Sequence, residues 1–309
     1  MKKIFKTATS WLVNNSAVQD LQNQGQDYKI DWLRVIPFIL MHLVCLLAFV
    51  VGVSWPAVIV AFALYMIRVF AIGAFYHRYF SHATYKTNRF WQFIFAILGA
   101  SATQRGPIWW AAHHRDHHTK SDMPDDPHSP VHHSFFWSHI GWFLSHRHYY
   151  YNASRVKDLL RFPELRLLDR MDTLVPLLLA VGVYYLGVYF QHAHPEWHTN
   201  GWQMLIWGYF ISTVVLLHVT VSINSIMHRF GVKRFPTKDN SRNNLLFALL
   251  TLGEGWHNNH HYYASSTRQG FVWYEVDFTY YVLKLMEKLR MIRNIRAVPD
   301  HVMAVRNTV

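Results

Sequence analysis

The chain has 309 residues, with 30 Lys and Arg against 18 Asp and Glu, 22 His, one Cys and a formal net charge of +12 at pH 7. A single cysteine, Cys45, excludes a disulfide framework and thiolate-held metal clusters, so any metal chemistry runs on nitrogen and oxygen donors. With 51% hydrophobic residues yet a mean hydropathy of only +0.02, apolar stretches alternate with very polar ones, the profile of a membrane protein with large parts outside the bilayer.

In chain order, residues 1–31 read as a polar, partly amphipathic arm on the cytoplasmic side. Met1, Lys2 and Lys3 begin like a signal peptide, but no sustained apolar run or small-residue cleavage site follows. A spanning helix needs about 20 mostly apolar residues. Residues 35–53 and 57–76 meet that need and are joined by the turn from Gly52 to Pro56; residues 174–190, slightly short, and 203–224 form a second hairpin across the polar turn from Gln191 to Gly201. Two further apolar segments, Phe90 to Ala112 and Ser134 to Leu144, read as interfacial; Gln104, Arg105, Gly106 and Pro107 interrupt the first before it could span. Between Met171 and His228 there is no Lys or Arg, so the positive-inside rule places both termini, residues 77–170 and residues 228–309 in the cytoplasm. That distribution of charge matches topology and an anionic leaflet and gives no reason to invoke a nucleic acid partner. The expected fold is an all-α integral membrane protein, one domain over 1–309. Four spans in two hairpins meet a cytoplasmic helical cap that holds a histidine-rich two-metal site.

Three histidine clusters carry that site: His77 and His82; His114, His117 and His118; His257, His260 and His261. Imidazole suits iron, copper, nickel and zinc, and eight rings exceed what one metal needs. A lone histidine is ordinarily a partly buried polar group. Three clusters at the ends of apolar segments, at ligand-compatible spacing, point instead to metal. Positions i, i+3 and i+4 share a helix face, so the second and third clusters each converge. His77 and His82 are five apart, about 140° round an ideal helix, so either the second span unwinds there or each ring serves a different metal. Thr220, Asn224 and His228 recur every four residues as a stripe leading from the fourth span to the metal level, which suits a substrate channel and adds His228 as a ninth ligand. Asp116 and Glu254 are candidates for orienting the histidines, with a surface ion pair as the bland alternative. His42 and His218 lie within spans and read as helix-packing groups; His192, His194 and His198 fall on the far side. Arg68, inside the second span, is balanced between packing and function.

At these residues the chain resembles the membrane fatty acid desaturases, specifically the stearoyl-CoA (delta-9) group, over about Ile59 to Phe271. The likeness rests on the three boxes at 77–82, 114–118 and 257–261, on Asp126, Pro127 and His128, on Ser138 to Trp142, on Asn224 to His228 with Gly231, and on Gly253 to Gly255. The resemblance implies two iron ions held by His77, His82, His114, His117, His118, His228, His257, His260 and His261, with Asn224 acting through a water. It implies dioxygen as co-substrate and a kinked acyl tunnel set by Gln104, Trp110 and Thr220, with Tyr65 and Val69 near its closed end. The expected activity is insertion of a cis double bond, at delta-9, into a saturated fatty acyl-CoA. His146 and Arg147 stand where the family has a basic pair for the carrier, but Ala112 and His113 replace an Arg-Asp pair of the animal enzymes. Phospholipid-bound acyl chains are therefore the alternative substrate, and a diiron hydroxylase on the same scaffold is the alternative reaction. The chain has no dinucleotide fingerprint, so a separate donor such as ferredoxin, rubredoxin or cytochrome b5 with its reductase must supply electrons. The short ends favour a bacterial inner membrane.

Overall fold

A computed structural model describes residues 13–14, 17–18 and 29–305, so most of the expected N-terminal arm lies outside the described residues. The architecture is helical: α1 (Trp32–Cys45), α2 (Trp55–Ala71), α3 (Arg89–Ala100), α4 (Pro107–Lys120), α5 (Pro163–Arg170), α6 (Leu174–Ala193), α7 (Gly201–Ser225), α8 (Leu245–Leu250), α9 (His257–Tyr262), α10 (Phe278–Lys288) and α11 (Asp300–Ala304). Among the described residues, strand is confined to two short ladders, Ala17–Val18 parallel to Tyr151–Asn152 and Lys86–Thr87 antiparallel to Ile292–Arg293.

Among the described residues, three helices are long and apolar enough to cross a membrane: Trp55–Ser81, Leu174–Ala193 and Gly201–Ser225. The expected first span is shorter, Val35–Val51, and is broken by a turn at Leu46 and Leu47 before the four-residue helix Ala48–Val51. Helix α2 outruns its expected end because it does not stop at Ala71. It continues as a π-helix over Ile72–Ser81, delivering the first histidine box to the metal level. The stretch expected as one interfacial segment, Phe90 to Ala112, is two helices separated by an irregular loop at 101–106.

Two kinds of packing hold these elements. Between spans, α2 and α6 lie against the π-helical part of α7 (Met204–Ile211), where small residues permit close approach. A Cβ on Gly208 would meet Val183 Cγ1 at 3.0 Å and Val60 Cγ1 at 3.2 Å, so the three helices meet there at contact distance. Below the spans lies the main hydrophobic core, where Phe75 and Phe80 from the extension of α2 pack with Phe95, Ile108 and Leu165 from α3, α4 and α5. This junction fixes the height and rotation of α4, whose N-terminus is closed by Asp169 of α5. Its Oδ1 accepts from Ile108 N at 3.1 Å and Trp109 N at 2.8 Å, satisfying two of the amides that a helix start leaves unpaired.

Candidate metal centre

The π-helix resolves the spacing of the first box. In a π-helix residue i bonds to i+5, so rings five apart fall on one face. His82 N donates to His77 O at 3.2 Å, and the two imidazole centroids are 4.9 Å apart. Both rings therefore fall in one histidine group. Helix α4 brings His114, His117 and His118, α9 brings His257, His260 and His261, and a turn just past the end of α7 brings His228.

The nine rings divide into two groups. His77, His82, His114, His118 and His260 offer ring nitrogens that all lie within 4.8 Å of one another, and His117, His228, His257 and His261 do the same. The groups adjoin: the rings of His118 and His261 stack at 4.5 Å between centroids. Facing Nε2 atoms are 2.8 Å apart for His82 and His114, 3.0 Å for His77 and His260, 2.9 Å for His118 and His260, and 3.0 Å for His228 and His257. Two nitrogens about 2.1 Å from one metal and at right angles would lie about 3.0 Å apart, so the cages have the dimensions of metal sites.

Carboxylates set which nitrogen faces inward. His117 Nδ1 lies 3.1 Å from both oxygens of Asp126, His228 Nδ1 2.9 Å from Asp122 Oδ2, and His261 Nδ1 2.6 Å from Asp239 Oδ2. In the first group His77 Nδ1 is bonded to Glu254, which also accepts from Arg78 Nε at 3.0 Å and Nη2 at 2.8 Å. At these four rings the Nδ1 side is thus held by a carboxylate, which leaves the Nε2 lone pair to face the cage. The buried Nε2 atoms of His117 and His261 have no hydrogen-bond partner, as expected of atoms reserved for a cation.

Electrostatics keep the set ready to bind. Burial, then repulsion by neighbouring rings, drives His114, His118, His257 and His260 well below the ordinary imidazole range. Burial likewise lowers His261, to about 4, against the pull of Asp239. For His117, burial lowers the pKa but Asp126 more than reverses it. Burial pushes Glu254 up, yet Arg78 and His77 outweigh it and hold the carboxyl at about 2. Asp122, buried but bonded to His228, also sits at about 2. The five rings so lowered are therefore neutral donors, and the anionic Glu254 and Asp122 stand behind the cages.

A mostly apolar cavity abuts this centre. Its wall includes His114, with Trp110 stacked on it at 5.0 Å, together with Asn224, Gln104 and Thr220, and Phe38 and Met41 from α1. Gln104 Nε2 donates to Thr220 Oγ1 at 3.1 Å, a polar clasp across an otherwise aromatic passage. Tyr65 and Val69 are not in this wall: the Tyr65 hydroxyl donates to Leu250 O at 2.8 Å, and Val69 is in the hydrophobic core. His146 is exposed and Arg147 partly buried, both close in sequence to Tyr149, which lines the cavity. Asp116 turns outward to Lys120 at 3.1 Å and Arg155 at 2.9 Å, the bland alternative, whereas Glu254 does orient a ring. Arg68 is fully buried and donates to Leu64 O, Thr213 Oγ1 and Ser212 Oγ at 3.0, 2.6 and 2.5 Å, which makes it a packing group between α2 and α7. His42 and His218 bond to each other at 3.1 Å, in keeping with helix packing.

Sequence reasoning missed the orienting roles of Asp122, Asp126 and Asp239. The first two follow the second box within nine residues of His117, a usable signal; Asp239 lies 22 residues before His261 and carries none.

A helical membrane protein with adjoining all-nitrogen cages beside an apolar cavity is the class that fold and site define. The chain belongs to the fatty acid desaturase family, which matches residues 53–291. It is 34% identical over 271 residues to an sn-1 stearoyl-lipid 9-desaturase of Anabaena variabilis, covering 87% of this chain and 94% of that one. It is 36% identical over 280 residues to an sn-1 stearoyl-lipid 9-desaturase of Synechocystis, covering 88% and 82%. An acyl-CoA 5-desaturase of Anemone leveillei is 34% identical over 296 residues, covering 92% and 87%. The protein is thus a membrane-bound oxidoreductase of fatty acyl chains.

Proposed function

We propose that this chain inserts a cis double bond at the delta-9 position of a saturated long-chain acyl group carried on a glycerolipid. The observation that carries the reading is the apolar cavity walled by His114 and Asn224 at one point and by lipid-level α1 at another. The nine histidines, with Asn224 placing a water, would hold two irons, which would supply the dioxygen-activating power that removal of hydrogen from an unactivated methylene requires. The overall change takes two hydrogens from adjacent methylenes and combines them with dioxygen, two electrons and two protons to leave two waters. The protein's own share is positional. The aromatic wall excludes water and holds the chain, the Gln104–Thr220 clasp bends it, and carboxylates orient His77, His117, His228 and His261 through Nδ1.

The lipid carrier is favoured because Ala112 is buried and the His113 ring packs against Trp109 and Trp142, with centroids 4.4 and 5.6 Å away, where a coenzyme A phosphate would need an exposed cation. The stearoyl-lipid relatives support the same reading. Acyl-CoA is the second reading, supported by the acyl-CoA relative and by basic residues at 146–147. We further read Val35–Val51 as a fourth crossing in two pieces, with both termini and the metal centre in the cytoplasm, because residues 172–227 contain no Lys or Arg. The test is the purified protein in liposomes with iron, reduced ferredoxin and either stearoyl phosphatidylglycerol or stearoyl-CoA. Oleoyl lipid from the first substrate alone supports the proposal, product from the thioester alone moves the assignment to acyl-CoA, and hydroxystearate from either overturns desaturation.

A further inference from the structure

The segment from Asn243 to Trp256 is a hairpin whose two ends are pinned together at the metal level. Asn243 and Trp256 form an isolated antiparallel bridge, Asn244 N donates to Gly255 O at 2.9 Å, and Asn243 Oδ1 accepts from Asn258 N at 2.9 Å at the start of α9. From that base the chain runs out through α8 and returns to Glu254. Its far end reaches α2 at Tyr65, whose hydroxyl donates to Leu250 O at 2.8 Å.

Tyr65 sits ten residues into α2 from Trp55 and twelve before His77. At about 1.5 Å per residue these are about 15 and 18 Å along the helix, so Tyr65 lies near the middle of a hydrocarbon layer about 30 Å thick. A helical side chain leans toward the N-terminus of its helix, which here carries the hydroxyl away from the metal level. The tip of the hairpin is therefore at membrane depth. It is also dressed for lipid: Leu245, Leu246, Leu249 and Leu250 are 58, 62, 49 and 38% exposed, while Ala248 and Thr251 are buried against the protein. Its backbone is satisfied from within, since Asn244 Oδ1 caps the first turn through Phe247 N, Thr251 N and Gly253 N return to Phe247 O and Ala248 O, and Tyr65 takes the carbonyl of Leu250. Irregular backbone persists at membrane depth only when so paired.

The apolar surface continues onto α10, which begins where Thr279 N donates to Leu252 O at 2.8 Å. Phe278, Tyr281, Val282, Leu285 and Leu289 form one exposed stripe at helical spacing, flanked by Lys284 and Lys288 and opposite the buried Thr279, Leu283 and Met286. A helix with that cross-section lies in an interface, its lysines reaching lipid phosphates. On α2 itself Ile59, Phe62 and Ile67 are likewise exposed.

We propose that residues 244–255 form a re-entrant hairpin inserted into the acyl layer of the leaflet on the metal-centre side, with α10 lying in the headgroup region beside it. The occupant of these faces is lipid. The test uses single cysteines placed at Leu246, Leu249, Leu285, Ile59 and Lys238 in a Cys45→Ser background, spin-labelled in the full-length protein in liposomes. Labels at 246 and 249 are expected to match Ile59 in strong relaxation by oxygen and loss of relaxation by a water-soluble nickel chelate, with 285 intermediate and the exposed Lys238 showing the reverse. Chelate access at 246 and 249 equal to that at Lys238 overturns the proposal, and so does exclusion of both agents with spin–spin broadening, which would mean that a second copy covers the face. Tyr65→Phe gives an independent reading. It should raise chelate access at 249 while Ile59 stays unchanged, and unchanged access at 249 would refute the anchoring role.

Discussion

Asp126→Asn separates the two metal groups. Asp126 is wholly buried, with His117 Nδ1 at 3.1 Å from both oxygens, Asp122 N at 2.9 Å from Oδ2 and His128 N at 3.0 Å from Oδ1. Each oxygen receives a backbone N–H, so whichever way an asparagine turns, its own amide donors face one of them. Leaving a buried donor unpaired costs about 1–3 kcal/mol. Loss of the anion behind a ligating histidine typically weakens metal binding about 10–100-fold, or about 1.4–2.7 kcal/mol. Of the two all-histidine groups His117 belongs to the four-membered one, so the effect should fall on that group and not on the five-membered one. Elemental analysis of the variant under a graded chelator should show one metal per chain lost at concentrations that leave wild type with both. Glu254→Gln, behind His77, should release the other metal first. Release of both metals together from a still-folded Asp126→Asn protein, or occupancy equal to wild type, would refute the assignment of carboxylates to separate centres.

Thr220→Val removes the acceptor for Gln104 across the cavity; product analysis should show a spread of double-bond positions in place of one, and an unchanged single position would remove the clasp from the tunnel's bend. His117→Ala should abolish product and deplete iron while the chain still folds in the membrane; full activity would strike His117 from the ligands. Arg68→Met should keep activity and metal, because every hydrogen bond of Arg68 goes to Leu64, Ser212 or Thr213 and none to the centre; a folded but inactive protein contradicts this. Asp169, raised by burial to about 7, stays protonated in the fold while the unfolded chain, at 3.8, has already ionised. The folded state thus binds more protons between these values, and stability is fully present below the lower one and lost as pH rises through about 7. Melting curves from pH 5 to 8 should slope downward for wild type and flatten for Asp169→Asn; equal slopes would deny Asp169 this part.

Three of the four apolar helices expected to span, and the three boxes, were legible because each rests on a local signal, apolar runs in one case and clustered imidazoles in the other. Even the awkward five-residue gap between His77 and His82 was informative: it left either an unwound span or separate metals, and the π-helix is the first of these. What stayed hidden depends on contacts distant in sequence. The bond from His261 to Asp239 and the reach of Tyr65 to Leu250 bridge 22 and 185 positions without any repeating pattern. The interruption of the first apolar stretch at Leu46 and Leu47 was hidden for the opposite reason: both residues favour helix, and tertiary context overrides that propensity.

The π-helical end of α2 also bears on how this gene can change. Restoring α-helical winding there by deleting one residue between His77 and His82 would leave them four apart, still on one face, but would shift everything after the deletion by one position. His82 would then lose its place opposite His114, and the Lys86–Thr87 strand its register with Ile292–Arg293. Variation in this stretch should therefore arise by exchange of one amino acid for another, with changes of length removed by selection whatever the residues involved.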